Sequence, residues 1–275
     1  MSTVPQVSVI IPTYNRAAWV KEAAASVLAQ TFQDYELLVV DDGSTDATLE
    51  TLVSLGRPVK VLRWARRRGV SAARNLGAAA AQGAWLAFLD SDDLWLPDKL
   101  ARQVDYLKSR PKLTICQTEE IWIRNGVRVN PPQTHRKAAG DIFLASLKRC
   151  MVSPSAVMLH RRLFAALGGF DETLPAGEDY DLWLRTAWRQ PVGLVPEPLV
   201  VKRGGHPDQL SRQRGLDRFR IRALVKLLEE ADLPGNYRQA AQNTLAHKCR
   251  IYAQGCEKRG KTAEAREYRA LSCKL

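Results

Sequence analysis

Cysteine is sparse and unpaired in this 275-residue chain: Cys116, Cys150, Cys249, Cys256 and Cys273 form an odd set without a Cys-x-x-Cys spacing. That excludes a disulfide framework or a zinc ribbon and points to a reducing compartment. The four histidines show no paired ligand spacing either. No apolar run reaches the roughly 20 residues of a membrane span, and residues 1–6 lack the basic region and apolar stretch of a signal peptide. The expectation is a cytoplasmic protein, with peripheral attachment to the inner face of the cell membrane compatible but encoded by no visible anchor. Two phosphate-binding signatures are missing as well: there is no Gly-x-Gly-x-x-Gly after the first strand-like run and no Walker lysine, which disfavours a dinucleotide site or a P-loop. Negative charge is the minority sign. With 41 Lys and Arg against 29 Asp and Glu, the net charge is +12, which attracts nucleotide diphosphates, nucleic acid or an anionic membrane surface. The basic residues are scattered, with no aromatic-interleaved basic motif, so nucleic acid is not expected as a partner.

What is present is an ordinary globular composition, 45% hydrophobic and 25% charged, long enough for one large core or two modest ones. Residues 7–11, 35–40, 59–62 and 85–89 are short apolar runs rich in β-branched residues. They alternate with helix-patterned stretches at 17–30, 46–55 and 70–82. Strand and helix in alternation predict an α/β fold with a mostly parallel, helix-covered sheet. Arg57-Pro58 precedes the third strand. Further on, residues 114–117, 121–123, 127–129, 153–159, 192–195 and 199–202 read as short strands, with Asn125-Gly126 as a hairpin turn and residues 130–140 as a mobile basic loop.

The densest chemistry lies at the end of the fourth strand, where Asp90-Ser91-Asp92-Asp93 follows five apolar residues. In open α/β sheets, ligands sit beyond the carboxyl ends of strands, so these three acids are expected to face a crevice. Carboxylates packed this closely repel one another unless a cation is present, and hard oxygen ligands suit Mg²⁺ or Mn²⁺ better than zinc. Capping of the next helix, around Pro97, explains one acid more readily than three. Tyr14 and the pair Asp41-Asp42 end neighbouring strands on the same edge. Tyr14 can stack on a base, and Asp42 can accept the imide hydrogen of uracil. A strand-to-helix turn with a cap explains residues 41–46 equally well, and the two readings are compatible. In the basic segment 66–75, Arg66 and Arg67 read as solvated, whereas Arg68 or Arg74 can reach a diphosphate.

The run Phe-Leu-Asp-Ser-Asp-Asp-Leu-Trp-Leu-Pro from Phe88 to Pro97 resembles the Asp-x-Asp metal motif of GT-A glycosyltransferases, and family 2 in particular. Gly-Val-Ser-Ala-Ala-Arg-Asn (69–75), Gly-Gly-Phe-Asp-Glu (168–172) and Glu-Asp-Tyr-Asp-Leu-Trp-Leu-Arg (178–185) are similar to the same family. The resemblance implies an inverting transfer of a sugar from a nucleotide-sugar donor, UDP-linked first, to a hydroxyl of a glycan or lipid-linked acceptor, as in cell-surface polysaccharide synthesis. It assigns the catalytic base to Asp179 with Glu178 in support, and the metal, Mn²⁺ or Mg²⁺, to Asp92, with His206 as a candidate second ligand ahead of Ser211. Nucleotide contacts fall on Pro12, Tyr14, Asn15, Arg16, Asp41, Asp42, Arg74, Asp90 and Ser91. The processive-synthase motif Gln-x-x-Arg-Trp is absent, which favours single-sugar addition. A non-catalytic nucleotide-sugar binding module would need the donor-side acids but not Asp179. A nucleotidyltransferase would place a Gly-rich basic loop where this chain has Pro12-Thr13-Tyr14-Asn15-Arg16.

The resemblance stops near Arg212. The expected division is a transferase domain at 1–212, its nucleotide half about 1–110 and its acceptor half about 111–212, followed by a helical extension at 213–275. Helices are expected at 219–231, 237–259 and 262–271. One helical hairpin cannot bury its own apolar face, so this tail should pack on the catalytic domain, on a second copy or on a partner.

Overall fold

The computed structural model describes residues 4–56, 59–132, 135–206, 209 and 215–272. Arg57-Pro58, the Pro207-Asp208 and 210–212 part of the histidine loop, the 212/213 domain boundary and Cys273 lie outside the described residues. In the described residues the first half runs β1 (Val7–Thr13), α1 (Ala17–Leu28), β2 (Tyr35–Asp41), α2 (Thr48–Ser54), β3 (Val59–Arg63), α3 (Val70–Ala80) and β4 (Trp85–Phe88). After it come β5 (Leu94–Trp95), α4 (Lys99–Lys108), β6 (Ile115–Arg124), β7 (Val127–Val129), α5 (Phe143–Lys148), β8 (Val157–His160), α6 (Arg161–Ala166), α7 (Glu178–Ala187) and β9 (Gly193–Gly204). The chain closes with α8 (Asp217–Glu230), α9 (Gly235–Glu257) and α10 (Thr262–Leu271).

One sheet carries the order β3-β2-β1-β4-β8-β6-β9-β5, with β7 paired to β6. Its first four strands are parallel, as the alternating pattern predicts. Beyond β4 the pairing changes: β8 is antiparallel to both β4 and β6, β9 runs parallel to β6, and β5 is antiparallel to β9. The central strands are continuous apolar runs because both faces are covered. Alternate residues serve opposite cores: Ile10, Leu38, Leu86 and Phe88 face one, and Val9, Ile11, Leu37 and Val39 the other. α3 comes close to the sheet through Gly77, where a Cβ would lie 2.5 Å from Ile10 Cγ2.

Three expected boundaries shift. Residues 192–195 and 199–202 belong to one strand, β9, because Pro196 and Pro198 fall at a bulge opposite Glu119 rather than at a break. Residues 114–117 and 121–123 are likewise one strand, β6. The strand expected over 153–159 begins only at Val157, because Pro154–Ala156 forms a 3₁₀ turn.

The helical tail packs on the rest of the chain. α8 contacts α7, and α9 contacts α5. Ile221, Leu224, Leu227 and Leu245 join Trp183, Phe143 and Phe88 in a single apolar cluster. Polar ties reinforce it: Lys226 Nζ lies 2.7 Å from Asp171, and Tyr237 donates to Asp141. Burial makes α8 part of the wall that supports α7, and α7 carries Glu178 and Asp179.

Candidate active site

The chain leaves β1 for β2 on one side and returns to β4 on the other, so a crevice opens between the ends of β1 and β4. Arg16, just past β1, and Asp92, just past β4, meet there at 2.7 Å. His206, beyond β9, places Nε2 at 2.9 Å from the same Asp92 Oδ2, with its ring 5.4 Å from Trp19. Asp90 is held from α3, where Arg74 Nη2 donates to its Oδ1 at 2.6 Å. Arg74 is buried, and its other terminal nitrogen donates to Glu178 Oε1 at 2.7 Å. One guanidinium thus joins the strand-end acids to the first turn of α7. Where the sequence suggested a diphosphate partner for Arg74, the structure gives it two carboxylates. Burial pushes the Asp90 carboxyl up, but Arg74 outweighs that and holds it below its ordinary range. Glu178, more enclosed, stays above its ordinary range because burial outweighs Arg74.

Asp93 departs from the expectation that all three acids face the crevice. It turns inward and is buried, its Oδ2 accepting from Ser155 Oγ at 2.6 Å and its Oδ1 from the Arg203 amide at 2.9 Å. The cause is local, because a turn from Asp90 O to Asp93 N reverses the backbone and directs the third acid under the strand end. Burial first, then the neighbouring Asp92 and Asp90, push the Asp93 carboxyl up to about 8. None of the acids caps α4, whose N-cap residue is Asp98.

On the other side of β1, the turn reading of residues 41–46 is realised. Asp41 is fully buried, accepts the Ser44 amide at 3.0 Å and pairs with Arg63 at 3.2 Å. Asp42 accepts the amides of Arg68 and Gly69 at 2.7 and 2.8 Å, one on each oxygen, and so anchors the basic loop. Asn15, at φ 49°, receives the Thr45 amide on its side-chain oxygen at 2.8 Å and donates its own amide to Ser44 Oγ. Pro12 and Ser91 are buried, the first inside β1 and the second beside the acids. Tyr14 is half-buried beneath the guanidinium of Arg67, which lies 4.3 Å from its ring centre and is exposed, as the solvated reading expects. Arg68 lies over Trp64 in the same way.

Beyond α7 the cleft continues into a cavity of about 290 Å³ that Asp179 lines. Glycine at 177, with φ 76°, starts the helix and lets the two acids follow directly. Asp179 Oδ1 accepts the Tyr180 amide at 2.7 Å, and its Oδ2 accepts from the Cys150 thiol at 3.3 Å. Lys202, on β9, reaches Ser153 Oγ at 3.3 Å and is half-buried. Burial alone would lower its pKa, but Glu120, Asp93, Asp90 and Asp179 together raise it, so it stays an ammonium. Sequence reasoning missed Cys150, Ser155 and Lys202. None belongs to a motif, and only the pairing of β8 and β9 with the rest of the sheet brings them in.

The acids fit a divalent cation. Asp90, Asp92 and Asp93 each bring one carboxylate oxygen within 4.8 Å of the others. Among the described residues Asp90 Oδ2 and Asp92 Oδ1 are not engaged, which leaves two hard donors facing the crevice. Burial, with Asp92 and Asp90 adding to it, lifts the Asp93 carboxyl to about 8, and a cation at these acids would offset their mutual repulsion.

The fold and these motifs agree with comparisons to known proteins. A model described as Glycosyl transferase family 2 matches residues 8–168, more than half of the chain. The chain belongs to this family. Among its relatives is an Escherichia coli protein named UDP-Glc:alpha-D-GlcNAc-diphosphoundecaprenol beta-1,3-glucosyltransferase WfgD. The two are 34% identical over 183 residues, covering 65% of this chain and 68% of the relative. An uncharacterised glycosyltransferase of Haemophilus influenzae is 28% identical over 237 residues, 82% of this chain and 79% of that one. Another, of Rickettsia felis, is 35% identical over 196 residues, but the match spans 70% of this chain and only 32% of the longer relative. In fold, this family 2 chain is similar to Staphylococcus aureus TarS 1-349 in complex with UDP-GlcNAc. The TM-score is 0.76 at 20% identity, covering 94% of this chain and 79% of that one. Mannosyltransferase PcManGT from Pyrobaculum calidifontis, in complex with GDP-Man and Mn²⁺, follows at 0.65 and 20%, covering 98% and 76%. The architecture is GT-A, extended by the three C-terminal helices. Among the described residues no helix is long and apolar enough to cross a membrane.

Proposed function

We propose that this family 2 chain transfers one sugar from a nucleotide-sugar donor, a UDP-sugar first, to a hydroxyl of a glycan or lipid-linked acceptor, with inversion at the anomeric carbon. The observation that carries the reading is Arg74, which ties Asp90 to Glu178 and so brings Asp179 to the same cleft as the metal-type acids. The names of the E. coli relative, with a UDP-sugar donor and a lipid-diphosphate acceptor, and of the TarS complex with UDP-GlcNAc support the choice of donor. Cell-surface polysaccharide synthesis at the cytoplasmic membrane face is the setting this acceptor class implies.

Asp92, with Asp90 beside it, would hold Mn²⁺ or Mg²⁺. That ion, when bound, supplies positive charge against the departing diphosphate. Arg16 and His206 orient Asp92, and Arg203, donating from Nε to the Asp92 carbonyl at 2.5 Å, holds its backbone. Tyr14 offers a face for the base. Asp42 retains a lone pair on each oxygen after accepting its two amides, so it can still receive a base N–H. Asp179 takes the proton of the acceptor hydroxyl as that oxygen attacks from the side opposite the leaving group. Glu178 stays with Arg74 and keeps the first turn of α7 in place.

A binding module without activity would share the donor side, and the test separates the two. Melting is followed with UDP, GDP, CDP and dTDP, each with and without Mn²⁺, for the wild type, Asp92→Ala and Asp179→Asn. Ligand at about a hundred times its dissociation constant adds roughly 2.7 kcal/mol. The expected result is a Mn²⁺-dependent shift with UDP that is lost in Asp92→Ala and kept in Asp179→Asn. A donor screen then gives turnover for the wild type and none for Asp179→Asn. Full turnover by Asp179→Asn would remove the base, and no shift with any nucleotide would remove the donor site.

A further inference from the structure

The cavity beside Asp179 is walled by cations that the transfer chemistry leaves unexplained. Lys137 is answered by Glu120 at 3.1 Å, and Arg220 by Asp217 at 3.3 Å. Arg149 is different. It directly precedes Cys150, whose thiol touches Asp179, and it lines the cavity half-buried, yet its guanidinium has no hydrogen-bond or ion-pair partner among the described residues. Arg124, exposed at the hairpin end of β6, lines the same cavity with its guanidinium 5.8 Å from the Trp122 ring. His135 lines the cavity as well, and burial first, then the charges of Arg149 and Arg124, push its pKa down. The cavity lining holds six Lys and Arg side chains against two acids, Glu120 and Asp179, and cations in such excess in a half-enclosed space repel one another and lose hydration, so an anion stabilises the wall.

We infer that Arg149, with Arg124 and His135, binds a phosphate group carried by the acceptor next to its attacking hydroxyl. A guanidinium fork matches phosphate oxygens in pairs, which a carboxylate-lined sugar site would not require. The donor's diphosphate has its own place at Asp90 and Asp92, where Arg16 and His206 already sit. Arg149 joins the cleft from the opposite end, through Cys150 and Asp179. A cavity of about 290 Å³ is at the lower end of ligand pockets, roughly 300–1,000 Å³. It suits a monosaccharide with its phosphate rather than a long glycan. The assignment rests on the transferase reading of Asp179. The same chemistry would serve a soluble sugar phosphate or a lipid diphosphate.

The test is titration calorimetry on the full chain saturated with UDP and Mg²⁺, so that the donor side is filled. The probes are glucose 1-phosphate against methyl glucoside, and geranyl diphosphate against geraniol, for the wild type, Arg149→Gln and Arg149→Lys. Each phosphorylated probe is expected to bind at least 10-fold more tightly than its neutral counterpart. Arg149→Gln should weaken it roughly 10-fold or more and Arg149→Lys less, with UDP affinity unchanged as the control for folding. Preference for geranyl diphosphate assigns the phosphate to a lipid, and preference for glucose 1-phosphate to a soluble sugar. Binding that is equal in wild type and Arg149→Gln, or no phosphate binding while UDP binds, overturns the inference. Repeating the titration without UDP separates the two readings: a chain that ignores UDP loses its donor assignment, while Arg149-dependent phosphate binding is scored independently.

Discussion

Asp92 and Asp179, on the two sides of the cleft, are held in opposite ways. On the donor side Asp41, Asp90 and Asp92 are each bonded to an arginine, at 2.6 to 3.2 Å, and lie at the ends of parallel strands only a few residues from the motif that names them. On the acceptor side Asp179 is held by an amide and a thiol, both neutral, and its surroundings come from α5, β6, β9 and the helical tail. The difference fits the roles proposed above. Acids that would meet a cation and a diphosphate are kept as fixed anions by bonded guanidiniums. An acid that must accept a proton is better oriented by groups without charge.

The largest test of this comparison concerns what the acceptor side stands on. If the tail is structurally part of that side, Leu224→Ala in α8 should cost about 2–5 kcal/mol, as much as Leu38→Ala in β2, since both side chains are fully buried in one cluster. Urea unfolding should stay a single transition in both variants. A separate early transition for Leu224→Ala, with the main one unmoved, would make the tail an independent unit.

A pH dependence tests the donor side. Asp93 has a folded-state pKa of about 8, pushed up by burial and by its acidic neighbours, against roughly 3.9 in an unfolded chain. Between those values the folded state holds a proton that the unfolded state has lost, so this group stabilises fully below about pH 4 and its contribution fades as pH rises through 8. Without divalent cation, stability should therefore fall with pH across that window, by at most about 1.4 kcal/mol per pH unit for one proton. Asp93→Asn should flatten the slope, and Mn²⁺ should stabilise the wild type most near pH 8. An unchanged slope in Asp93→Asn would mean that another group carries it.

The same contrast explains what could be read from the chain alone. The Asp90 to Asp93 run and Glu178-Asp179 stand out because strand ends and helix starts are local, and a charge placed there shows against its neighbours. The parallel half was legible for the same reason, through continuous apolar strands. Arg74 was visible as a cation near the nucleotide side, but its bridge to Glu178 spans 104 residues and depends on where α7 docks. Asp93 carried the same letter as Asp92, and only the turn at Asp90 distinguishes their directions. β9 looked like two strands because a proline usually ends one, and the bulge opposite Glu119 accommodates both prolines. Arg149, Cys150 and Lys202 have no motif at all, since antiparallel pairing beyond β4 gathers them.

The smallest effect bears on Asp179 itself. Burial and the nearby Asp179 charge push the Cys150 thiol well above its ordinary pKa, so at neutral pH it is an S–H donor and not a competing nucleophile. Its single proton has two acceptors in reach, the Val152 carbonyl at 3.1 Å and Asp179 Oδ2 at 3.3 Å; given to Asp179, with the Tyr180 amide on the other oxygen, it orients the carboxylate that the acceptor hydroxyl would meet. Cys150→Ala should then lower kcat about 2–10-fold, the value of one modest hydrogen bond, with the donor KM unchanged. Cys150→Ser keeps a donor at the same position and should recover most of that loss. If serine behaves like alanine while both variants melt earlier than the wild type, the thiol is only filling space. If both variants keep wild-type kcat, neutral donors are not what orients Asp179, and the contrast between the two halves reduces to their different burial.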